Sequence, residues 1–146
     1  MLNKIFILVV LMTSPLFAEY GALTTQALEA RTRSYSPYSK YAVGAALLTS
    51  EGEIFQGCNV ENASYGLTIC AERSAVVSAV SQGKKMFTAI AVATKDGGFP
   101  CGACRQVLNE FNPEMVVVIV DEKGRITCQT TLEAILPSAF GPKNLE

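Results

Sequence analysis

Two short cysteine blocks, Cys70-Ala71-Glu72-Arg73 and Pro100-Cys101-Gly102-Ala103-Cys104, constrain this 146-residue chain more than any other feature. Alone, the Cys101-x-x-Cys104 spacing fits a redox pair or half of a structural zinc knuckle. Cys70 adds a third sulfur, so the fold must bring segments 31 residues apart to one point. Three thiolates can hold zinc with a fourth position open. An open position separates catalytic from structural zinc, because water can bind there and become a nucleophile near neutral pH. Three thiolates also leave the ion with net negative charge, which makes that water harder to deprotonate. Two features offset the charge: helix N-termini aimed at the sulfurs, and an Arg73 guanidinium close enough to donate hydrogen bonds to them. Glu72, two residues after Cys70, is placed to take a proton from the water without being a ligand. Cys128 could close the site as a fourth ligand, but it falls in a predicted edge strand two elements later. Cys58 reads as a small buried hydrophobe in a hairpin.

The surrounding pattern says how such a site is assembled. Leu23, Ala27, Leu28 and Ala30 recur at helical spacing and predict an opening helix over 23–33, with Thr24 or Thr25 able to cap it and Pro37 ending it. Small and β-branched residues over 41–49, a Glu51-Gly52 turn and an apolar stretch over 54–60 predict a β-hairpin that delivers Asn59 and Glu61 to its far end. Ala75, Val76, Ala79 and Val80 predict a helix over 71–81, stopped by Gly83, which puts Cys70 at a helix N-terminus. A strand over 88–94 leads through Asp96-Gly97-Gly98 to a second helix from Pro100 to Phe111, whose first turn carries Cys101 and Cys104 on one face. A buried strand over 115–120, an edge strand over 125–130 and a short helix over 131–136 complete an α/β sandwich.

Composition narrows the function. Twelve basic against thirteen acidic residues give a net charge of −1 and no basic footprint for a nucleic-acid backbone, so a small, near-neutral partner is expected. Five cysteines cannot all pair internally, which implies a reducing compartment. Lys4, the apolar run 5–12 and Ala18 resemble a secretory signal, too short to span a bilayer. Translation from Met12 would remove most of that run and is the preferred reading. Residues 1–18 are therefore set aside as a hydrophobic N-terminal extension and 19–146 taken as one domain. A cytoplasmic protein is expected, with export as the alternative if 1–18 is a true signal. The Asn62-Ala63-Ser64 sequon is discounted on the same grounds.

The two cysteine blocks, the latter continuing as Cys104-Arg105-Gln106, resemble the small homotetrameric zinc-dependent cytidine deaminases of pyrimidine salvage. Further blocks support the resemblance: Ser36-Pro37-Tyr38-Ser39-Lys40, Val43-Gly44-Ala45-Ala46-Leu47, Gly57-Cys58-Asn59-Val60-Glu61-Asn62-Ala63 and Leu136-Pro137-Ser138-Ala139-Phe140-Gly141-Pro142. The resemblance runs from about 26 to 145 and implies a three-layer α/β/α fold with a mixed five-stranded sheet. It implies one zinc per subunit on Cys70, Cys101 and Cys104 and Glu72 as proton shuttle. It also implies that Asn59 and Glu61 bind the ribose hydroxyl and that the Ala71 backbone meets the base carbonyl. Tyr41 stands where the family usually has Phe against the base, and Phe140 matches a residue that a neighbouring subunit lends to each site. The implied reaction is hydrolysis of cytidine and 2′-deoxycytidine to uridine and deoxyuridine with loss of ammonia. No nucleic acid or membrane partner is expected for the domain. The loop 95–99 departs from the family, being slightly short and lacking the usual Ser before Pro100. A deaminase for another aminopyrimidine nucleoside, a zinc-binding scaffold without turnover and a nucleic-acid editor are the rival readings.

Overall fold

The computed structural model describes residues 15–146, with side chains from Tyr20 onward; the apolar stretch 5–12 lies outside the described residues. Helix α1 (Pro15–Arg31) comes first, then the antiparallel hairpin β1 (Gly44–Thr49) and β2 (Ile54–Cys58). Helix α2 (Ala71–Ser81), strand β3 (Phe87–Ala93), helix α3 (Gly102–Asn109), strands β4 (Val116–Val120) and β5 (Ile126–Thr131), and the single turn α4 (Leu132–Ile135) follow. Short 3-10 turns occupy Tyr65–Leu67 and Pro142–Asn144. The sheet order is β2-β1-β3-β4-β5, with β3 and β4 parallel and the other neighbours antiparallel. This is the expected mixed five-stranded α/β sheet. Its one parallel pair is joined through α3, as a parallel pair requires a crossover.

The pleat sorts side chains into two cores. Ala45, Leu47, Ile90, Val92, Val117 and Ile119 face Ala75, Ala79, Leu108 and Leu132 of the helices on one side. Ala46, Ala89, Ala91, Ala93, Val118 and Val120 face Tyr20, Leu23 and Ala27 of α1 on the other. Burial on both faces explains the continuous apolar runs of β3 and β4. Two glycines set how closely the helices approach. A Cβ on Gly44 would lie 2.1 Å from the Ala27 carbonyl oxygen, and one on Gly57 would lie 2.3 Å from both the Ala71 carbonyl oxygen and the Ala75 nitrogen. Glycine at 57 thus lets α2, with Cys70 at its start, lie directly on β2.

Three details differ from the sequence reading. Helix α1 begins eight residues before Leu23, so the boundary drawn between 18 and 19 falls within it. Proline is compatible with such a start, since its missing N–H has no intrahelical partner in the first turn. Helix α3 begins at Gly102, making Cys101 the capping residue and leaving only Cys104 in the first turn. Cys58 is half-buried rather than buried, and its thiol donates to the Arg33 carbonyl at 3.4 Å.

Candidate metal centre and active site

The site forms at one end of the sheet. Gly44 at the start of β1 pairs with Cys58 at the end of β2 and with Ala93 at the end of β3, so Tyr41, Val43, Asn59 and Thr94 gather there. Helices α2 and α3 begin at the same end, capped by Cys70 and Cys101 in extended backbone conformation. Both helices thus direct unpaired N–H groups and the positive ends of their dipoles toward the sulfurs, beside the carboxyl end of a parallel strand.

The Sγ atoms of Cys70, Cys101 and Cys104 lie within 4.8 Å of one another, and Cys70 Sγ is 3.9 Å from Cys101 Sγ. Tetrahedral zinc with Zn–S bonds of about 2.3 Å requires sulfurs about 3.8 Å apart, so this donor set fits zinc. Cys128 is not part of the cluster; it pairs with Ile119 across the β4/β5 ladder and packs against the hydrophobic core. Arg73 Nη2 donates to Cys70 Sγ at 3.6 Å and to the Thr68 carbonyl at 3.5 Å. Arg73 Nε is buried without a hydrogen-bond partner, the guanidinium being held by its other end. The Cys70 thiol is pulled down to about 5, first by its hydrogen bond with Cys104, then by Arg73 and Cys101. Cys104 is pushed up, first by the same bond to Cys70 and then by burial. Cys70 therefore ionises more readily than Cys104, and a metal drawing on all three sulfurs must displace the thiol protons that remain.

Glu72 lies in the first turn of α2, only 4% exposed. Burial raises its pKa above the ordinary carboxylate range, and the Cys70 charge adds to the effect. Its neighbours Cys70, Ala71 and Cys101 line the same cavity of about 250 Å³, together with Tyr41, Asn59 and Thr94. Ala71 is fully buried. The Asn59 amide is largely committed to the wall: its Oδ1 accepts from Ser34 Oγ at 2.5 Å and Val43 N at 2.9 Å, and its Nδ2 donates to the Tyr41 carbonyl at 2.8 Å. Glu61 lines an adjoining outer hollow of about 290 Å³, which shares Ser39 and Thr68 with the inner cavity. Its carboxylate accepts from Tyr38 N at 2.8 Å, Ser39 N at 3.2 Å and Ser39 Oγ, and the Ser39 bond, above all, lowers its pKa. Phe140 lies outside both hollows. Its carbonyl is held by Gln106 Nε2 at 2.9 Å and Asn109 Nδ2 at 3.3 Å on α3, and the residue is 59% exposed.

A family model for the cytidine and deoxycytidylate deaminase zinc-binding region matches residues 18–120, spanning both cysteine blocks. The chain belongs to this family. It is 48% identical over 126 residues to the cytidine deaminase of Sporosarcina psychrophila, covering 84% of this chain and 92% of that protein. The crystal structure of a cytidine deaminase from Burkholderia pseudomallei superposes with a TM-score of 0.79 at 48% identity, covering 83% of this chain and 98% of the other. A cytidine deaminase from Mycobacterium tuberculosis gives 0.75 at 40% identity, with 84% and 98% covered. Like these deaminases, the chain has an α/β fold with a mixed five-stranded sheet.

Sequence reasoning gave Arg105 no role, although it follows Cys104 in the second block. Its Nε donates to the Pro100 carbonyl at 2.8 Å and its Nη1 to the Ile135 carbonyl at 2.8 Å, bracing the turn that carries Cys101. An arginine beside a ligand block was the available signal. Asp96, which accepts from Tyr41 Oη at 2.6 Å, was also missed; 55 residues separate the pair, and nothing local marks it.

Proposed function

We propose that this protein is a zinc-dependent cytidine deaminase acting on cytidine and 2′-deoxycytidine in pyrimidine salvage. The observation that carries this reading is the cluster of three thiols, two of which line one cavity together with the buried Glu72. Cys70, Cys101 and Cys104 would hold the zinc. When bound there, the metal supplies a Lewis acid that makes water nucleophilic near neutral pH. Arg73 and the two helix N-termini offset the thiolate charge.

Glu72 carries the protons. As water adds to C4 of the base, its carboxylate takes a proton and delivers it to ring N3. It then takes the remaining proton of the added hydroxyl and passes it to the C4 amine, which leaves as ammonia. Uridine keeps the new C4 carbonyl and the N3 hydrogen, so one water is consumed per ammonia released. A carboxyl whose burial holds its pKa up is suited to both taking and giving that proton.

The inner cavity takes the base, with the Ala71 backbone N–H at the start of α2 directed to its carbonyl and the Tyr41 ring against its face. The sugar extends past Ser39 and Thr68 toward the outer hollow, with Asn59 on the inner wall and Glu61 on the outer one addressing the ribose hydroxyl. The ionised Glu61 favours a free sugar hydroxyl over a phosphate. Phe140, tethered by its backbone and exposed, reaches the site of a neighbouring subunit in a homotetramer. No helix among the described residues is long and apolar enough to cross a membrane. A cytoplasmic location suits thiolate ligands, and the catalytic domain takes in 19–146 together with the start of α1.

Glu72→Gln tests the reading, because it preserves shape while removing the proton carrier. Turnover of cytidine should be lost with zinc retained. Undiminished activity would refute the role of Glu72, and a wild-type protein active on other aminopyrimidine nucleosides but not on cytidine would refute the substrate.

A further inference from the structure

The 95–99 loop at the edge of the cavity is pinned by Tyr41. Tyr41 Oη donates to Asp96 Oδ1 at 2.6 Å, the length of a charge-assisted O–H···O bond. Thr94 joins the same knot: its Oγ1 lies 3.4 Å from Asp96 Oδ1 and accepts from Gly98 N at 2.6 Å. A Cβ on Gly98 would lie 2.7 Å from Tyr41 Oη, so the loop backbone rests directly against the hydroxyl. Tyr41 is itself fixed, its N–H donating to Ser39 Oγ at 3.0 Å and its carbonyl accepting from Asn59 Nδ2 at 2.8 Å. Tyr41, Thr94, Gly98 and Phe99 line the cavity that holds Glu72.

The next residue in the chain is anchored separately. The Pro100 carbonyl is held by Arg105, which in turn reaches the Ile135 carbonyl, so the segment bearing Cys101 does not depend on Asp96 for its position. The two tethers divide the labour: Arg105 places the metal ligand, and Tyr41 with Asp96 places the wall beside the substrate.

We propose that Tyr41 and Asp96 form a latch holding the 95–99 loop against the substrate cavity, so that Asp96 is a positioning residue and the Tyr41 hydroxyl sets how tightly the base is held. This rests on the cavity being the nucleoside site argued above. Tyr41→Phe keeps the ring and removes only the latch; Asp96→Asn removes the charged acceptor from the other side.

The test uses the full-length chain as Tyr41→Phe, Asp96→Asn and the double variant. It measures cytidine kinetics, zinc per chain, and amide hydrogen exchange over 95–99 without substrate. Each single variant should raise KM about three- to tenfold, the worth of one net hydrogen bond, with kcat changed by less than about twofold. Zinc should be retained, loop exchange should quicken, and the double variant should be no worse than Tyr41→Phe alone, since Asp96→Asn weakens the same bond that Tyr41→Phe removes. Gly98→Ala should also raise KM, and Tyr41→Phe in the same chain should relieve part of that rise by removing the oxygen its Cβ strikes. Unchanged KM and exchange in both singles, additive effects in the double, or loss of zinc would each overturn the latch. If wild type does not deaminate cytidine, the functional reading fails, and the exchange data alone decide whether the latch exists.

Discussion

Gly57→Ala tests how the fold places Cys70. The added Cβ would sit 2.3 Å from the Ala71 carbonyl oxygen and from the Ala75 nitrogen, roughly 1 Å short of ordinary contact, and both atoms are α2 backbone that cannot rotate away. Helix α2 must therefore lift from β2 by about 1 Å, or the strand must buckle. Overpacking of this kind costs about 1–3 kcal/mol, which in a chain of this size lowers Tm by about 3–10 °C. The functional effect should be larger than the loss of stability, because Cys70 caps α2 and Glu72 lies in its first turn. A misplacement of about 1 Å at reacting groups can cost about a hundredfold in rate. Thermal denaturation, zinc content and cytidine turnover on the same preparation are the assay. Gly21→Ala is the control: nothing lies within 4 Å of its Cβ, and replacing a glycine inside α1 should stabilise the protein by about 0.5–1 kcal/mol. A Gly57→Ala protein with wild-type Tm and activity would refute the close seating of α2 on β2.

Two further predictions follow from the site and its margins. Cys104→Ser should abolish stoichiometric zinc binding while Cys128→Ser retains it, as read by metal analysis; loss of zinc from the Cys128 variant would make that residue a ligand. Asp121 accepts from Lys123 N, Arg125 N and Arg125 Nε at 2.9, 3.0 and 2.7 Å, and these bonds, led by the Arg125 backbone, lower its pKa below 3.8. A depressed folded pKa stabilises the protein fully above the unfolded value near 3.8 and ceases to do so as the pH falls through the folded one. Asp121→Asn should therefore lower Tm at neutral pH and narrow its gap from wild type toward pH 3, and a constant gap across that range would contradict the assignment.

Local signals in the sequence carried much of this structure. Helix α2 was legible to the residue because Ala75, Val76 and Ala79 repeat with the helical period and Gly83 ends the pattern. The cysteine cluster was legible because Cys70, at a predicted helix start, adds a third sulfur to the Cys101-x-x-Cys104 pair. The start of α1 was not, since 1–18 read as a leader. The division into an inner and an outer hollow, the Arg105 brace and the Tyr41 bond to Asp96 were also invisible. Each depends on side chains brought together by the sheet end, where β1, β2 and β3 pair in register. Asn59 shows the difference most clearly: the sequence marks it as a polar residue at a strand end, whereas the fold commits its amide to Ser34, Tyr41 and Val43.

The central claim is that hydrolysis at this site depends on zinc held by three cysteines. Uridine formation from cytidine, measured with zinc per chain on the same samples during stepwise chelation and restoration of the metal, tests it most directly. Activity should track zinc occupancy linearly up to one ion per chain and return when zinc is restored. Full turnover by protein freed of zinc, or none by protein carrying one zinc per chain, would contradict it.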